Sequence, residues 1–143
     1  MPARAIAELQ DNITFKVKIK DFPEFLMDEP VEFHGNDRGP SSIEFLCTAV
    51  AGCNGTSFKF CLDKFGIEVN KMIVIAEAEM HHVDVDGRSL LRITNLHVKI
   101  DVELKNKDDE EDLLECFDVY KKYCVVSGSI TKGIPMDISL NHK

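Results

Sequence analysis

The sequence predicts a single α+β domain over residues 1–143, a length that fits one domain. Three observations lead to this prediction. Apolar and polar residues alternate with a period of two near residues 13–19 and 96–104, which is typical of strands with one buried face. Apolar residues recur at helical spacing over residues 43–65 and predict one long helix. An Asp86-Gly87 pair between two apolar stretches predicts an antiparallel hairpin.

The first strand carries its apolar residues on one face, and these are Ile13, Phe15, Val17 and Ile19. We expect Val31 and Phe33 to begin a short second strand. Residues 34–42 are turn-rich, and we expect Pro40 in the first turn of the long helix with Gly39 or a neighbour as its cap.

The long helix is expected to end at Gly66, because glycine is the residue that most often closes a helix. Its middle, residues 49–55, consists mainly of small residues. Small side chains there leave space around Cys53 for another backbone or for a pocket.

The hairpin strands are expected near residues 72–83 and 90–104. Leu91 and Ile93 have the opposite parity to the apolar positions between residues 96 and 104. A β-bulge near Thr94-Asn95 would bring both sets of side chains onto one face.

Residues 107–124 are expected to form a second helix, because the segment begins with acidic residues and ends with Lys121-Lys122, in the order that complements a helix dipole. Cys124 would then lie at the carboxyl end of that helix. A loop containing Gly128 and Gly133 follows. The alternating residues after it predict a last strand, and these are Ile134, Met136, Ile138 and Leu140.

Charge and composition exclude several classes of function. The 25 acidic residues outnumber the 17 basic ones and give a net charge of -8, which opposes binding to nucleic acids and to anionic membrane surfaces. The first residues lack the apolar core of a secretory signal, and no apolar run is long enough to span a bilayer. We therefore expect a soluble cytoplasmic protein that binds neither nucleic acid nor membrane.

The five cysteines lack the C-x-x-C spacing of a structural zinc site, and no carboxylate or thiol stands at ligand spacing beside His81-His82. We expect no metal and no cofactor. Burial as small apolar residues is the simplest interpretation for Cys47, Cys61 and Cys116. Cys53 and Cys124 differ, because Gly52, Asn54 and Gly55 flank the first, while the second is expected at a helix end before a loop rich in Ser and Gly. The carboxyl end of a helix disfavours a thiolate, so Cys124 should be the weaker nucleophile of the two.

Two motifs resemble those of the OsmC/Ohr family, named for osmotically inducible protein C and organic hydroperoxide resistance. The first is GPSSIEFLCTAVAGCNGTSF, with its Gly-Pro entry, its glutamate and its small-residue helix before Cys53. The second is KKYCVVSGSITKGIP, with a tyrosine before Cys124. The resemblance implies an antiparallel sheet with a long central helix, in an intertwined homodimer.

The resemblance also implies a thiol peroxidase in which Cys53 attacks a hydroperoxide and Cys124 resolves the sulfenic acid as a disulfide. The implied partners are a second copy of the chain, an organic hydroperoxide and a dithiol reductant. Family members use a glutamate and an arginine beside the thiolate, and Glu44 and Arg38 are the candidates here. Glu44 also suits a helix's first turn on electrostatic grounds alone.

Nine residues of helix separate Glu44 from Cys53 by about 13 Å on opposite sides, so Glu44 can serve only another subunit's cysteine. Arg38 is equally consistent with a solvated loop charge. Val125 replaces the proline that many relatives have after the second cysteine. Two alternatives to the enzyme remain open, a noncatalytic dimer of the same fold that binds a small hydrophobic or thiol-bearing ligand, and a structural dimer with inert cysteines.

Overall fold

The structure, a computed structural model, describes residues 2–143. These residues form two compact units, one ending at Thr48 and the other beginning at Ala49. Helix α1 (Ser42–Lys64) is continuous across the boundary. The expectation of one domain stays a prediction.

The first unit contains a three-stranded antiparallel sheet in the order β1 (Ile6–Asp11), β2 (Thr14–Lys18) and β3 (Phe25–Met27). Strand β2 confirms the predicted first strand, whereas β1 was not predicted. The predicted strand at Val31 is wrong, because Val31–Phe33 form a 3-10 helix. The Phe33 N–H donates to the Pro30 carbonyl and closes this segment on itself.

Asp28 organises the loop that follows β3. Its carboxylate is buried and accepts hydrogen bonds from the Thr14 hydroxyl at 2.7 Å and from the backbone N–H groups of Glu29, Asn36 and Arg38. Desolvation raises the pKa of Asp28, but these hydrogen bonds outweigh it and leave that pKa below its ordinary value. The loop is therefore tied to β2 through one carboxylate.

Helix α1 begins later than expected. Ser41 caps it, since its Oγ accepts from the Glu44 N–H at 3.3 Å and donates to the Glu44 carboxylate at 3.0 Å. The expectation that Pro40 lies in the first turn is wrong, because the helix begins at Ser42. The cap is Ser41, a neighbour of Gly39, because its side chain supplies the acceptor. The predicted end is confirmed: Gly66 has a φ of 70°, and the Ile67 N–H donates to the Leu62 carbonyl.

Strands β4 (Val69–Val85) and β5 (Arg88–Leu104) form the predicted hairpin. The turn residues Asp86 and Gly87 both have positive φ, as the tightest hairpin turn requires. Glu79 pairs with Asn95 and Met80 pairs with Ile93, so Thr94 is the extra residue of the predicted bulge.

The C-terminal part departs most from expectation. Residues 107–124 are not one helix: after a 3-10 helix at Lys107–Asp109, helix α2 (Glu110–Tyr120) ends four residues before Cys124. The expected loop contains helix α3 (Val125–Lys132). The last strand is not formed, and Ile138 and Leu140 are 88% and 84% exposed. Alternation alone does not make a strand, because a strand also needs a hydrogen-bonded partner.

The core of the second unit lies where α1 and α2 pack against the base of the hairpin. Its buried members are Phe58, Cys61, Leu62, Ile67, Cys116 and Tyr120. The Phe58 ring packs at 4.9 Å from that of Tyr120, centroid to centroid. Among the helices in the described chain, none has the length and apolar character needed to cross a bilayer.

Candidate active site

Two of the five cysteines meet at one point in the second unit. The Cys53 and Cys124 sulfurs are 3.4 Å apart, although 71 residues separate them in sequence. Helix α1 supplies Cys53 from its middle, and the turn between α2 and α3 supplies Cys124. Cys53 is partly exposed, whereas Cys124 is 3% exposed.

The position of Cys124 relative to the helices reverses one expectation. Cys124 precedes the first residue of α3 and thus lies at the amino end of a helix, not at a carboxyl end. The amino end favours negative charge. The expectation that Cys124 lies at the carboxyl end of a helix, where a thiolate is disfavoured, is therefore wrong. Helix α2 ends at Tyr120, and α3 begins directly after Cys124.

Polar groups surround the Cys124 sulfur. The Ser127 hydroxyl lies 3.3 Å from Cys124 Sγ. Burial raises the pKa of Cys124, but hydrogen bonds with the side chain and backbone of Ser127, and with Cys53 and Ser57, more than offset it, so the pKa lies below the ordinary thiol value. Cys124, whose pKa is lowered, is thus in contact with the partly exposed thiol of Cys53.

A buried polar chain supports this pair. The Asn54 amide nitrogen donates to the Val50 carbonyl and to Ser127 Oγ, both at 2.8 Å, while its oxygen accepts from the Tyr120 hydroxyl at 3.3 Å. A carbonyl cannot donate, so the Val50 contact fixes which end of the amide is nitrogen. The chain joins α1 to α2 and α3 at the cysteines.

An apolar cavity of about 520 Å³ lies in the same unit. Half of its lining residues are aromatic, and these are Phe60, Phe65, Tyr120 and Tyr123. Ser57, which hydrogen-bonds Cys124, also lines it. Ser57 is thus the residue that links this cavity to the dithiol, and the cavity lining includes neither Cys53 nor Cys124.

The remaining candidates, Glu44 and Arg38, belong to the first unit. The Glu44 carboxylate accepts from Ser41 at the start of α1, which is a capping role. The Arg38 backbone N–H is held by Asp28. Their expected roles beside a thiolate stay predictions.

Cys61 and Cys116 are buried, as the simple interpretation expects, whereas Cys47 is only partly buried. Cys116 is fully buried, and burial together with the neighbouring Cys61 thiol raises the pKa of Cys116 to about 12. Cys61 Sγ lies 3.6 Å from the Cys116 carbonyl. In the part of the chain that the structure describes, no cluster of metal-binding side chains is present.

The sequence does not predict the roles of Ser127 and Tyr120 at the site, nor the polar role of Asn54. The signal in the sequence for Asn54 is an amide next to Cys53 on the apolar stripe of the long helix, and the structure shows that Asn54 is buried. Ser127 gave no such signal, since it was placed in a loop.

The fold and the site define an α+β protein with a close dithiol between a long helix and the turn before a short one. The OsmC-like protein family model matches residues 34–139, which is most of the chain. The chain therefore belongs to the OsmC-like family, as its two motifs indicated.

Solved structures show the same fold. An OsmC-like protein from Mycoplasma pneumoniae is 17% identical, with a TM-score of 0.74 over 92% of this chain and 88% of that one. An OsmC-like protein of unknown function from Vibrio cholerae is 10% identical, with a TM-score of 0.77 over 90% and 92%. An organic hydroperoxide resistance protein from Elizabethkingia anophelis, with thiocyanate bound, is 17% identical, with a TM-score of 0.66 over 93% and 89%. No curated protein matches the sequence. The predicted OsmC/Ohr-like α+β fold is confirmed.

Proposed function

We propose that the protein is a thiol-dependent peroxidase that reduces organic hydroperoxides through Cys53 and Cys124. The observation that carries this proposal is the 3.4 Å separation of the two sulfurs. Two thiols at that distance need to approach by only about 1.3 Å to reach disulfide bonding distance. Relatives described as organic hydroperoxide resistance proteins support the same activity.

The reaction consists of three balanced steps. The Cys53 thiolate attacks the distal oxygen of the hydroperoxide, the O–O bond breaks, and the alkoxide takes a proton and leaves as an alcohol. Cys124, as a thiolate, then attacks the Cys53 sulfenic acid, forming the S–S bond and releasing the oxygen as water. A dithiol reductant finally reduces the disulfide and is itself oxidised.

Exposure supports the assignment of Cys53 as the attacking thiol. A peroxide must reach the sulfur that it oxidises, and Cys53 is the more exposed of the two. The lowered pKa of Cys124 suits the second step, since it increases the fraction of the thiolate that attacks the sulfenic acid. It also suits the third step, because a thiol of lower pKa leaves faster when the reductant attacks Cys53.

The apolar cavity supports an organic substrate. Its aromatic lining offers contacts to an alkyl or aryl group while Ser57 lies close to the sulfurs. The same cavity favours the second candidate function, binding of a small hydrophobic ligand without turnover. The two candidates differ in whether the ligand is consumed.

The proposal includes a homodimer. Met136, Ile138 and Leu140 are at least 79% exposed and alternate as a strand does, so a second copy could supply the strand partner that they lack in the described chain. The proposed role of Glu44 also requires a partner subunit, because Glu44 and Cys53 of one chain lie on opposite sides of α1. Arg38 is proposed as the cation beside the peroxide, with its backbone held by Asp28.

We place the reaction in the cytoplasm. The proposed cycle needs its thiols reduced between turnovers, which the reducing conditions of the cytoplasm provide. This location would give the disulfide access to cellular dithiol reductants.

The experiment that tests the function is consumption of an organic hydroperoxide with reduced lipoamide, a dithiol, compared with a monothiol. Catalytic consumption that the dithiol supports and that Cys53→Ser abolishes is the expected result. Saturable ligand binding with no loss of peroxide, in a protein whose thiols are fully reduced, would favour the noncatalytic candidate.

A further inference from the structure

The group that holds the Cys124 thiolate is identifiable from the geometry around it. Two side chains other than Cys53 contribute hydrogen bonds to this sulfur, those of Ser57 and Ser127. Ser127 also contributes through its backbone, and its Oγ lies 3.3 Å from Cys124 Sγ. No basic side chain takes part in these hydrogen bonds.

The Asn54 amide determines the direction of the Ser127 hydroxyl. Its nitrogen donates to Ser127 Oγ at 2.8 Å, so the serine oxygen is already an acceptor on that side. The serine's own proton is then available for the thiolate. Asn54 is itself held by the Val50 carbonyl and the Tyr120 hydroxyl, and it is 5% exposed.

We infer that Ser127 is the hydrogen-bond donor that stabilises the Cys124 thiolate, and that Asn54 is the positioning residue that orients it. This inference rests on the proposed function and assigns Ser127 to the resolving step. Ser127 is a neutral donor that the buried Asn54 amide holds in place. It gives the Cys124 thiolate the stabilisation that a charged group would otherwise give. The stabilised Cys124 thiolate captures the Cys53 sulfenic acid rapidly, before a second peroxide molecule oxidises that sulfenic acid further.

The chain offers a close set of variants for the test. Ser127→Ala removes the hydroxyl, and Ser127→Thr retains it. Ser129→Ala, on the same helix, removes a serine hydroxyl that makes no side-chain hydrogen bond in the structure. Circular dichroism of each variant checks that the fold is retained.

The first measurement is the pH dependence of Cys124 alkylation in the reduced protein without peroxide. Ser127→Ala should move the midpoint upward by about one pH unit, because a hydrogen bond to a charged group is lost. Ser127→Thr and Ser129→Ala should keep the midpoint of the unmodified protein. An unchanged midpoint in Ser127→Ala, or an equal shift in Ser129→Ala, would overturn the inference.

The second measurement is a single turnover with one equivalent of an organic hydroperoxide. In Ser127→Ala the first oxidation should not be slowed, whereas disulfide formation at neutral pH should be roughly tenfold slower, with more sulfinic acid by mass spectrometry. Equal rates of disulfide formation in the two proteins would contradict the inference. If the unmodified protein consumes no peroxide, the proposed function fails while the alkylation midpoints still decide the role of Ser127.

The Asn54 contribution is separated by a double-mutant cycle on the alkylation midpoint. Asn54→Ala should shift the midpoint in the same direction as Ser127→Ala but by less, and should add nothing in the Ser127→Ala background. Additive shifts would show that Asn54 does not act through Ser127. Should Asn54→Ala not fold, Tyr120→Phe, which frees the Asn54 oxygen, takes its place in the cycle.

Discussion

Oxidation of the protein should stabilise it by an amount that the positions of the two cysteines determine. A stoichiometric dose of an organic hydroperoxide is expected to join Cys53 to Cys124 within one subunit. Their sulfurs are already 3.4 Å apart, so the bridge requires little rearrangement. Cys47 and Cys61 compete poorly, because they lie about 9 and 12 Å from Cys53 along α1.

The magnitude follows from the length of chain that the bridge closes. With 71 residues between the cysteines, the chain-entropy model gives about 4 kcal/mol of stabilisation relative to the open unfolded chain. At a urea slope of about 2 kcal/mol per molar, the denaturation midpoint should rise by about 2 M. Oxidation also removes the hydrogen bonds that the Cys124 thiolate accepts, and this loss reduces the expected stabilisation.

The assay is urea denaturation of the oxidised and reduced protein at one protomer concentration, since dimerisation makes apparent stability depend on concentration. Cys53→Ser and Cys124→Ser should show no rise on treatment with peroxide. Peptide mapping without reduction identifies the bridge. A dominant bridge to another cysteine, or a correct bridge with an unchanged midpoint, would refute the reasoning.

Four further outcomes are expected. Cys53→Ser should abolish peroxide consumption, whereas Cys124→Ser should complete the first oxidation and accumulate a sulfenic acid that a dimedone trap detects; equal single-turnover rates in the two variants would show that the assignment of roles is wrong. Because the pKa of Asp28 is lowered by folding, its stabilisation is present above its ordinary pKa and lost as pH falls through the folded value. Asp28→Asn should therefore lower stability at neutral pH and have less effect in strong acid, as urea midpoints at several pH values would show. With a pKa of about 12, Cys116 should resist alkylation at neutral pH until the protein unfolds. Sedimentation should give a dimer, and a single 16.1 kDa species at micromolar concentration would exclude it.

The features that could be predicted from the sequence are those that local chemistry determines. Asp86-Gly87 predicts its own turn, because few other residues adopt positive φ so readily. The change of parity between Ile93 and residue 96 predicts the bulge, since side chains must return to one face. Gly66 predicts the end of α1 for the same conformational reason.

The break between α2 and α3 could not be predicted in this way. No proline or glycine interrupts residues 110–127, so the segment has no local signal to stop a helix. The chain instead turns where the Tyr123 N–H donates to the Tyr120 carbonyl. Tyr120 is held by Asn54, which lies 66 residues away, and such a contact is not visible in a local pattern. Because the sequence does not predict this break, Cys124 is expected at the carboxyl end of one helix, whereas it lies at the amino end of α3.

The two cysteine pairs are both close in space but differ in the groups around their sulfurs. Cys61 and Cys116 lie on α1 and α2 and contact one another in the core, yet burial and mutual repulsion of charge keep the Cys116 thiol protonated. Cys124 is also buried, but it meets hydrogen-bond donors on its own helix and on α1 that favour its thiolate. Both pairs draw on the same helix α1, two turns apart. We therefore expect the two pairs to differ in reactivity because of the polar groups around each sulfur. Changing Ser127 to alanine should make the Cys53 and Cys124 pair behave more like the buried pair.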